Sequence, residues 1–325
     1  MSDAPVVGRL APSPTGVLHL GNARSFLLAW LDVRALGGRL LLRIEDLDGP
    51  RNKPGAVEST LEDLEWLGLD WDGEPLLQST RLARHREVRD RLLAAGVLYP
   101  CICSRRDVEQ AASAPHAGEE GPVYPGTCRA RFTPDAAGIA AATEAGGRPP
   151  FLRFHCRDGR TAVDDLILGR SEHDVAGSFG DFPVWRREDE PAYHLAVVVD
   201  DHDQGVDRVL RGDDLLTSAA RQVQLHEAMG WTLPEYLHVP LVVGKDGRRL
   251  AKRHGDTSLR HFREQGISAE EVVGWLGWVS GLQEAPTPCH PRDLLSAWDL
   301  AKLPRRPVTW TGSLHEGPSA PEAGR

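Results

Sequence analysis

The sequence predicts an α/β fold in which strands alternate with helices and pair into a parallel sheet. At the start of the chain, an apolar strand-like segment at 5–10 is followed by a turn rich in Pro, Ser, Thr and Gly, and then by helical periodicity over 23–36. A second apolar segment, Arg39–Ile44, ends at the carboxylates Glu45 and Asp46. Acidic side chains at this position are typical of the ligand-binding edge of a parallel sheet.

The following segments continue this alternation up to an insertion. Amphipathic helices are predicted at 56–67 and 81–95, because apolar residues recur at helical spacing and a glycine stands just past each end. Periodicity is weak over 99–150. Short strand-like pieces then follow at 151–154, 161–168 and 182–185. We therefore expect a small mixed subdomain inserted into the α/β domain.

The second half of the α/β domain follows the insertion. A buried strand is predicted at 193–199, and a helix at 217–229 with Thr217 and Ser218 as candidate caps. A further strand at 238–243 leads into a glycine turn, and helical segments are expected at 272–282 and 291–303. The predicted units are the first half of the α/β domain (1–98), the insertion (99–190), the second half (191–243), a loop with a small helical domain (244–311) and a disordered tail (312–325).

Composition narrows the class of protein. The chain has 325 residues, of which 41% are hydrophobic and 26% charged, and no apolar run is long enough for a bilayer crossing or a signal core. We therefore expect a cytoplasmic protein that acts as a monomer. The net charge of −9 argues against bulk electrostatic coating of nucleic acid, although a basic patch occurs at 245–263. Five cysteines without an export signal indicate reduced thiols.

Two distant motifs carry the signal for phosphate binding. The motif Arg9-Leu-Ala-Pro-Ser-Pro-Thr-Gly16 leads directly into His19-Leu-Gly-Asn22, which places a helix N-terminus and two side-chain donors at a strand end. Alone, this pattern could be a turn with a capping histidine. The second motif, Arg249-Leu-Ala-Lys-Arg253, follows a strand and a glycine turn and adds cationic side chains. Together the two motifs favour a nucleotide site.

These motifs, with Arg43-Ile-Glu-Asp46 and Arg211-Gly-Asp-Asp214, resemble the signatures of class I aminoacyl-tRNA synthetases, and most closely the glutamyl branch. The resemblance covers roughly residues 6–260. It implies a Rossmann-like catalytic domain, an inserted zinc-knuckle or acceptor-type subdomain, and a ligase that uses ATP with Mg²⁺. Arg249 and Ala251 stand where Lys and Ser are usual, whereas the central Lys252 is retained.

The chemistry of glutamate activation assigns roles to these residues. The reaction requires positioning and charge neutralisation but no covalent nucleophile. A cation is needed for the glutamate side chain and an anion for its ammonium group, for which Arg9, Arg211 and Glu45 are candidates. The resemblance implies a glutamate pocket of Arg9, Leu10, Ala11, Pro12, Ser13, Glu45, Tyr193 and Arg211, an ATP site of His19, Gly21, Asn22 and Lys252, and catalytic roles for His19, Asn22 and Lys252.

Each of these assignments has a structural alternative. Arg211 could instead pair with Asp213 or Asp214, and we expect an ion pair between Glu45 and Arg43 to be a weaker rival. Lys252 could be a solvated surface residue. Tyr193 is expected to contribute its hydroxyl from the start of the strand at 193–199.

The cysteines indicate a zinc knuckle. Cys101-x-Cys103 and the later Cys128 supply three thiolates that could staple a segment poor in apolar residues. The residues alone leave the fourth ligand open among Tyr124, His116 and Cys156, and the resemblance to shortened glutamyl enzymes implies Tyr124. The alternative is three buried cysteines that hold no metal.

The number of residues that follow the second motif indicates which RNA accepts the glutamate. Only 73 residues follow Lys252, whereas ordinary glutamyl-tRNA synthetases carry a large helical region there that holds the anticodon arm. The resemblance is therefore closest to the truncated branch that transfers glutamate to the queuosine base in the anticodon of tRNA(Asp). Two alternatives stay open: a shortened enzyme that charges the acceptor end of tRNA(Glu), and a non-catalytic paralogue that senses glutamate or binds another protein.

Overall fold

The computed structural model describes residues 5–14, 16–47, 53–111, 122–187, 189–250 and 256–316. Their strands are β1 (Val7–Leu10), β2 (Arg39–Ile44), β3 (Leu76–Leu77), β4 (Leu98–Cys101), β5 (Phe151–Phe154), β6 (Thr161–Asp165), β7 (Gly169–His173), β8 (Pro183–Trp185), β9 (Arg208–Gly212), β10 (Glu235–Val239), β11 (Val242–Val243) and β12 (Val308–Thr309). Their helices are α1 (Leu20–Ala35), α2 (Ala56–Trp66), α3 (Leu82–Ala94), α4 (Arg105–Ala111), α5 (Ala136–Gly146), α6 (Val175–Ser178), α7 (Tyr193–Asp203), α8 (Leu216–Met229), α9 (Leu259–Glu264) and α10 (Ala269–Val279).

The central sheet confirms the predicted α/β class. Seven strands pair in the order β3-β2-β1-β9-β10-β6-β7, all parallel except the β6–β7 hairpin. The order reverses direction between β1 and β9. Such a switch point opens a crevice at the carboxyl ends of the strands, where open α/β sheets bind their ligands.

Both faces of the sheet are covered by apolar side chains. Leu210 and Leu237 pack in one cluster with α1 and α10, whereas their neighbours Val209 and Tyr236 pack in a second cluster with α7 and α8. Successive residues of a strand point to opposite faces, so a strand covered on both sides carries apolar neighbours. This explains why consecutive apolar residues occur within β2, β9 and β10.

The segment 99–190 divides between two sheets. Strands β4, β5 and β8 form a separate antiparallel sheet, whereas β6 pairs with β10 through Tyr236 and Asp165 and so extends the central sheet. Part of the predicted insertion therefore reaches the neighbourhood of the crevice.

The prediction of a strand at 193–199 is wrong. Tyr193–Asp203 is helix α7, and its residues from Leu195 to Asp201 are all buried. A short run that is buried on all sides has no periodicity that separates a strand from a helix, and its three consecutive valines favoured the strand. Tyr193 is consequently the first residue of a helix.

Three other local predictions need correction. Helix α8 begins at Leu216 after a 3-10 turn, so Thr217 and Ser218 lie inside it and no side chain caps its start. The strand expected at 238–243 is interrupted at Pro240, which lacks an N–H for the ladder. The segment 291–303 forms two short 3-10 helices, Pro291–Ala297 and Leu300–Lys302.

The C-terminal region packs onto the first helix. Arg24 of α1 is 1% exposed, and its Nε donates to the Ser280 hydroxyl just after α10 (3.0 Å). Of the tail expected to be disordered, 317–325 lies outside the described residues, but Leu314 is buried in the main core. None of the helices in the described part of the chain combines the length and apolar character that a bilayer crossing requires.

Candidate active site

A cavity of about 560 Å³ lies at the crevice, and residues of both sequence motifs line it. The loops after β1, β2 and β9 contribute to its walls, as does the N-terminus of α1. Most of the residues predicted for the glutamate and ATP sites line it, namely Arg9, Ala11, Pro12, Ser13, His19, Gly21, Asn22, Glu45, Tyr193 and Arg211.

Two predicted site residues are not among this lining. Leu10 is fully buried and belongs to the apolar core under the sheet edge, because it points away from its neighbour Arg9 across the strand. The structure thus places the Leu10 side chain in the core, whereas its neighbours Arg9 and Ala11 line the cavity. Lys252, with Ala251, lies outside the described residues.

The first motif forms a tightly capped helix start. His19 is the N-cap of α1, and its Nδ1 accepts the Gly21 N–H (3.1 Å), while the Asn22 Oδ1 accepts the His19 N–H (3.4 Å). Burial, followed by the charge of Arg249, lowers the pKa of His19 to about 4. The imidazole is therefore neutral at pH 7, and because Nδ1 is an acceptor, Nε2 carries the proton and can donate.

The described residues on either side of 251–255 lie close to the first motif. The Leu20 N–H donates to the Thr257 carbonyl (3.0 Å) and the Leu259 N–H donates to the Leu18 carbonyl (2.8 Å). Before the loop, Arg249 lines the cavity and pairs with Asp214 (3.0 Å). The segment that contains Lys252 is thus bounded on both sides by residues held beside the N-terminus of α1.

A buried ionic cluster forms the floor of the cavity below β1 and β2. Asp201 of α7 lies 2.7 Å from Arg43 Nη1 and 3.4 Å from Arg9 Nε. Burial alone raises the pKa of Asp201, but the charges of Arg43 and Arg9 outweigh it and hold that pKa below its usual value. Asp201 therefore stays ionised and fixes both guanidinium groups.

Glu45 also belongs to this cluster. Its Oε1 lies 3.2 Å from Arg43 Nη2, so the ion pair that was expected as the weaker rival does form. Residues two apart in a strand share a face, which makes this contact direct. Glu45 nevertheless lines the cavity, so the pairing holds it in place without removing it from the site.

Arg211 does not form the ion pair with Asp213 or Asp214 that was its alternative. Its Nε donates to His238 Nε2 (3.0 Å), and its Nη2 donates to Gln222 Oε1 (2.8 Å) and the Leu215 carbonyl (3.3 Å). Arg211 Nη1 is buried and has no hydrogen-bond partner among the described residues. An unpaired buried donor is costly, and because Arg211 lines the cavity, a molecule bound there can supply the missing acceptor.

Sequence reasoning missed the residues that support these cations. Asp201, Gln222 and His238 are 4%, 1% and 0% exposed. They lie just after the strand predicted at 193–199, in the helix predicted at 217–229 and in the strand predicted at 238–243. The available signal was their polarity, because a polar residue at a core position needs a partner. Which partner it has depends on the arrangement of the whole sheet.

The predicted metal ligands come together in the insertion. The sulfur atoms of Cys101, Cys103 and Cys128 lie within 4.8 Å of one another and are buried. The Tyr124 hydroxyl lies 3.3 Å from Cys101 Sγ and accepts the Cys128 N–H (2.8 Å). Three converging thiols with one oxygen at the same point are a donor set suited to a tetrahedral metal.

The three thiols differ in their electrostatics: burial raises the pKa of Cys103, and the hydrogen bond to Cys101 raises the pKa of Cys128. A hydrogen bond from Cys128, with the charge of Arg153 nearby, lowers the pKa of Cys101 to about 4 despite burial. Cys156, an open candidate for the fourth ligand, instead donates to the Gly180 carbonyl (3.3 Å). His116 lies outside the described residues.

Comparisons with known proteins place the chain in a family. A model described as "tRNA synthetases class I (E and Q), catalytic domain" matches residues 5–284. A glutamyl-Q tRNA(Asp) synthetase of Symbiobacterium thermophilum is 49% identical over 310 residues, which are 93% of this chain and 94% of that relative. A glutamate–tRNA ligase 1 of Methylorubrum extorquens is 42% identical over 93% of this chain and 62% of its own length.

A solved structure agrees with this match. A glutamate tRNA ligase from Elizabethkingia meningosepticum, in complex with its amino acid, superposes with a TM-score of 0.81 at 26% identity, over 96% of this chain and 68% of that one. The residues that the family model matches include both sequence motifs and the insertion. The chain therefore belongs to the class I tRNA synthetase family of the E and Q enzymes.

Proposed function

We propose that the protein activates L-glutamate with ATP and transfers it to the queuosine base in the anticodon of tRNA(Asp). One observation carries the glutamate part: two buried arginines, Arg9 and Arg211, face one cavity with Glu45, and a guanidinium donor of Arg211 is left without a partner among the described residues. A carboxylate bound by arginine and an ammonium bound by Glu45 describe an acidic amino acid.

The charge balance favours the same ligand. The cluster around the cavity floor contains the cations Arg9, Arg43 and Arg211 and the anions Asp201 and Glu45. This leaves an excess of one positive charge, and glutamate with its two carboxylates and one ammonium carries one negative charge. Glutamine would lack the carboxylate that pairs with the buried donor.

Activation forms the adenylate. A glutamate α-carboxylate oxygen attacks the α-phosphorus of ATP, and the bond to pyrophosphate breaks as the pyrophosphate leaves with its charge. Neutral His19 can donate from Nε2, and the N-terminus of α1 adds the positive end of the helix dipole. Asn22 keeps His19 in this orientation through the capping box. We assign Lys252 to neutralising the leaving pyrophosphate, with Mg²⁺ supplying further charge.

Transfer then needs an RNA nucleophile. A hydroxyl of the queuosine diol attacks the carbonyl carbon of the adenylate, and AMP leaves. The choice of tRNA(Asp) is supported by the glutamyl-Q relative, which shares 49% identity over nearly its whole length. A reaction on tRNA also implies a cytoplasmic protein, and we expect it to act as a monomer.

We further propose that Cys101, Cys103, Cys128 and Tyr124 hold one structural zinc ion. The converging donor atoms support it, and so does their small cluster, which has few apolar residues of its own to stabilise it. The metal would tie the chain after β4 to the segment around Cys128.

Glutamate-dependent ATP–pyrophosphate exchange without RNA tests activation. We expect exchange with glutamate and much less with glutamine. Arg211→Gln should abolish it, and the matched surface variant Arg170→Gln, whose side chain is 60% exposed, should not. Absence of exchange in the unmodified protein would reject the enzyme and favour the glutamate-binding paralogue.

Transfer of labelled glutamate then tests the acceptor. We expect labelling of tRNA(Asp) that contains queuosine and none of tRNA(Asp) that lacks it. Labelling of tRNA(Glu) alone would select the shortened acceptor-end enzyme instead.

A further inference from the structure

Arg211 is held from several directions by buried groups. His238 Nε2, Gln222 Oε1 and the Leu215 carbonyl accept from its Nε and Nη2, as described above. Its guanidinium carbon lies 5.4 Å from the centre of the Tyr236 ring. Of the five N–H bonds of a guanidinium, those on Nη1 are thereby left for a molecule in the cavity.

His238 can accept from Arg211 only in one tautomer. Asp165 Oδ2 lies 2.6 Å from His238 Nδ1 and also accepts the His238 backbone N–H (2.9 Å). Asp165 Oδ1 accepts the Ile167 and Leu168 N–H groups. A carboxylate with this many donors around it is ionised and accepts only, so Nδ1 of His238 carries the proton and Nε2 keeps its lone pair.

The same network depends on the topology. Asp165 is the last residue of β6, which pairs with β10 beside Tyr236, two residues before His238. Asp165 and His238 are both fully or nearly fully buried. A hairpin from the predicted insertion therefore supplies the carboxylate that orients a histidine behind the site.

We propose that Asp165 and His238 are positioning residues that fix Arg211 so that its Nη1 meets the side-chain carboxylate of glutamate. This inference rests on the proposed function, because it concerns the same pocket. Neither residue lines the cavity, so they act through Arg211 and set selectivity for the acidic side chain. ATP binding, at the N-terminus of α1, does not depend on them.

The test compares His238→Leu with His238→Gln. Leucine removes the acceptor for Arg211 Nε, whereas glutamine offers an amide oxygen at about the reach of Nε2. In ATP–pyrophosphate exchange, we expect His238→Leu to raise the KM for glutamate roughly ten- to a hundredfold, the effect of losing a hydrogen bond to a charged group. The KM for ATP should change less than about twofold, and His238→Gln should recover most of the loss.

Three outcomes would overturn the proposal. In the first, His238→Leu raises the KM for glutamate and the KM for ATP equally. In the second, it lowers kcat and leaves the KM for glutamate unchanged. In the third, His238→Leu and His238→Gln raise the KM for glutamate equally. Exchange by the unmodified protein is measured first, so that an inactive protein rejects the proposed function and a lack of difference between variants rejects this inference.

A measurement on the unmodified protein covers the case in which His238→Leu does not fold. In the ¹⁵N spectrum of histidine-labelled protein at pH 7, the His238 signals, assigned by their loss in His238→Gln, should show a protonated Nδ1 and an unprotonated Nε2. The opposite tautomer, or a doubly protonated ring, would contradict the proposed orientation of Arg211.

Discussion

Replacement of Asp201 by asparagine tests the ionic cluster at the cavity floor. Asp201 is 4% exposed and lies beside Arg43 and Arg9, at 2.7 Å and 3.4 Å. Asp201→Asn keeps the shape but removes one of the two anions that face three buried cations. Removing one partner of a buried ion pair typically costs about 3–5 kcal/mol, because the remaining charge is left desolvated.

We expect the decrease in the free energy of unfolding to lie near the lower end of that range. The asparagine side chain retains an oxygen that can accept from Arg43, and Glu45 still pairs with Arg43 at 3.2 Å. The free energy of unfolding should therefore fall by about 3 kcal/mol. It is measured by urea unfolding at pH 7.5, monitored by circular dichroism. The dependence of the free energy on urea concentration should be the same in the variant and the unmodified protein, as two-state unfolding requires.

Asp164→Asn is the matched control. Asp164 makes the same type of contact, with Arg170 at 2.9 Å, but the two side chains are 74% and 60% exposed. Surface pairs of this kind contribute about 0–1 kcal/mol. If Asp201→Asn destabilises the protein no more than Asp164→Asn does, the cluster does not hold Arg9 and Arg43 as argued above.

Three further predictions concern the helix start, the thiol cluster and the pH dependence of stability. A methyl group at Gly21 would lie 3.0 Å from His19 Cε1, so Gly21→Ala should displace the imidazole and raise the KM for ATP several-fold in the exchange assay; an unchanged KM would mean that His19 does not contact ATP. Cys101→Ser should contain less bound zinc than the unmodified protein, as measured by elemental mass spectrometry. The control Cys289→Ser, which lies outside the cluster, should keep one zinc ion per chain. Equal zinc content in the two variants would exclude Cys101 as a ligand. Burial lowers the pKa of His226 to about 4. As the pH falls below about 6.5, the histidine is therefore protonated in the unfolded state before it is protonated in the folded state. The free energy of unfolding should decrease between pH 6.5 and pH 5 by up to about 1.4 kcal/mol per pH unit. His226→Phe should flatten this dependence in urea unfolding at pH 7.5, 6.0 and 5.0, and an identical slope would refute it.

The local chemistry of the site could be predicted because its residues lie in short continuous motifs. Arg9, His19 and Asn22 occupy one strand, turn and helix start, and the structure brings them to one cavity with Glu45 and Arg211. The cysteine spacing likewise predicted the cluster of Cys101, Cys103 and Cys128. Spacing along the chain suffices in such cases because bond geometry limits where nearby residues can go.

The sequence by itself thus determined the fold class, and its motifs predicted most of the residues that the structure brings to one cavity. Tertiary structure decided the rest: that Tyr193 starts a helix, that Leu10 lies in the core, and that Asp201 and His238 hold the arginines. The reason is physical. A buried polar group must find a partner wherever the fold supplies one. Asp201 contacts Arg43, and His238 contacts Arg211, from elements more than twenty residues away in the sequence.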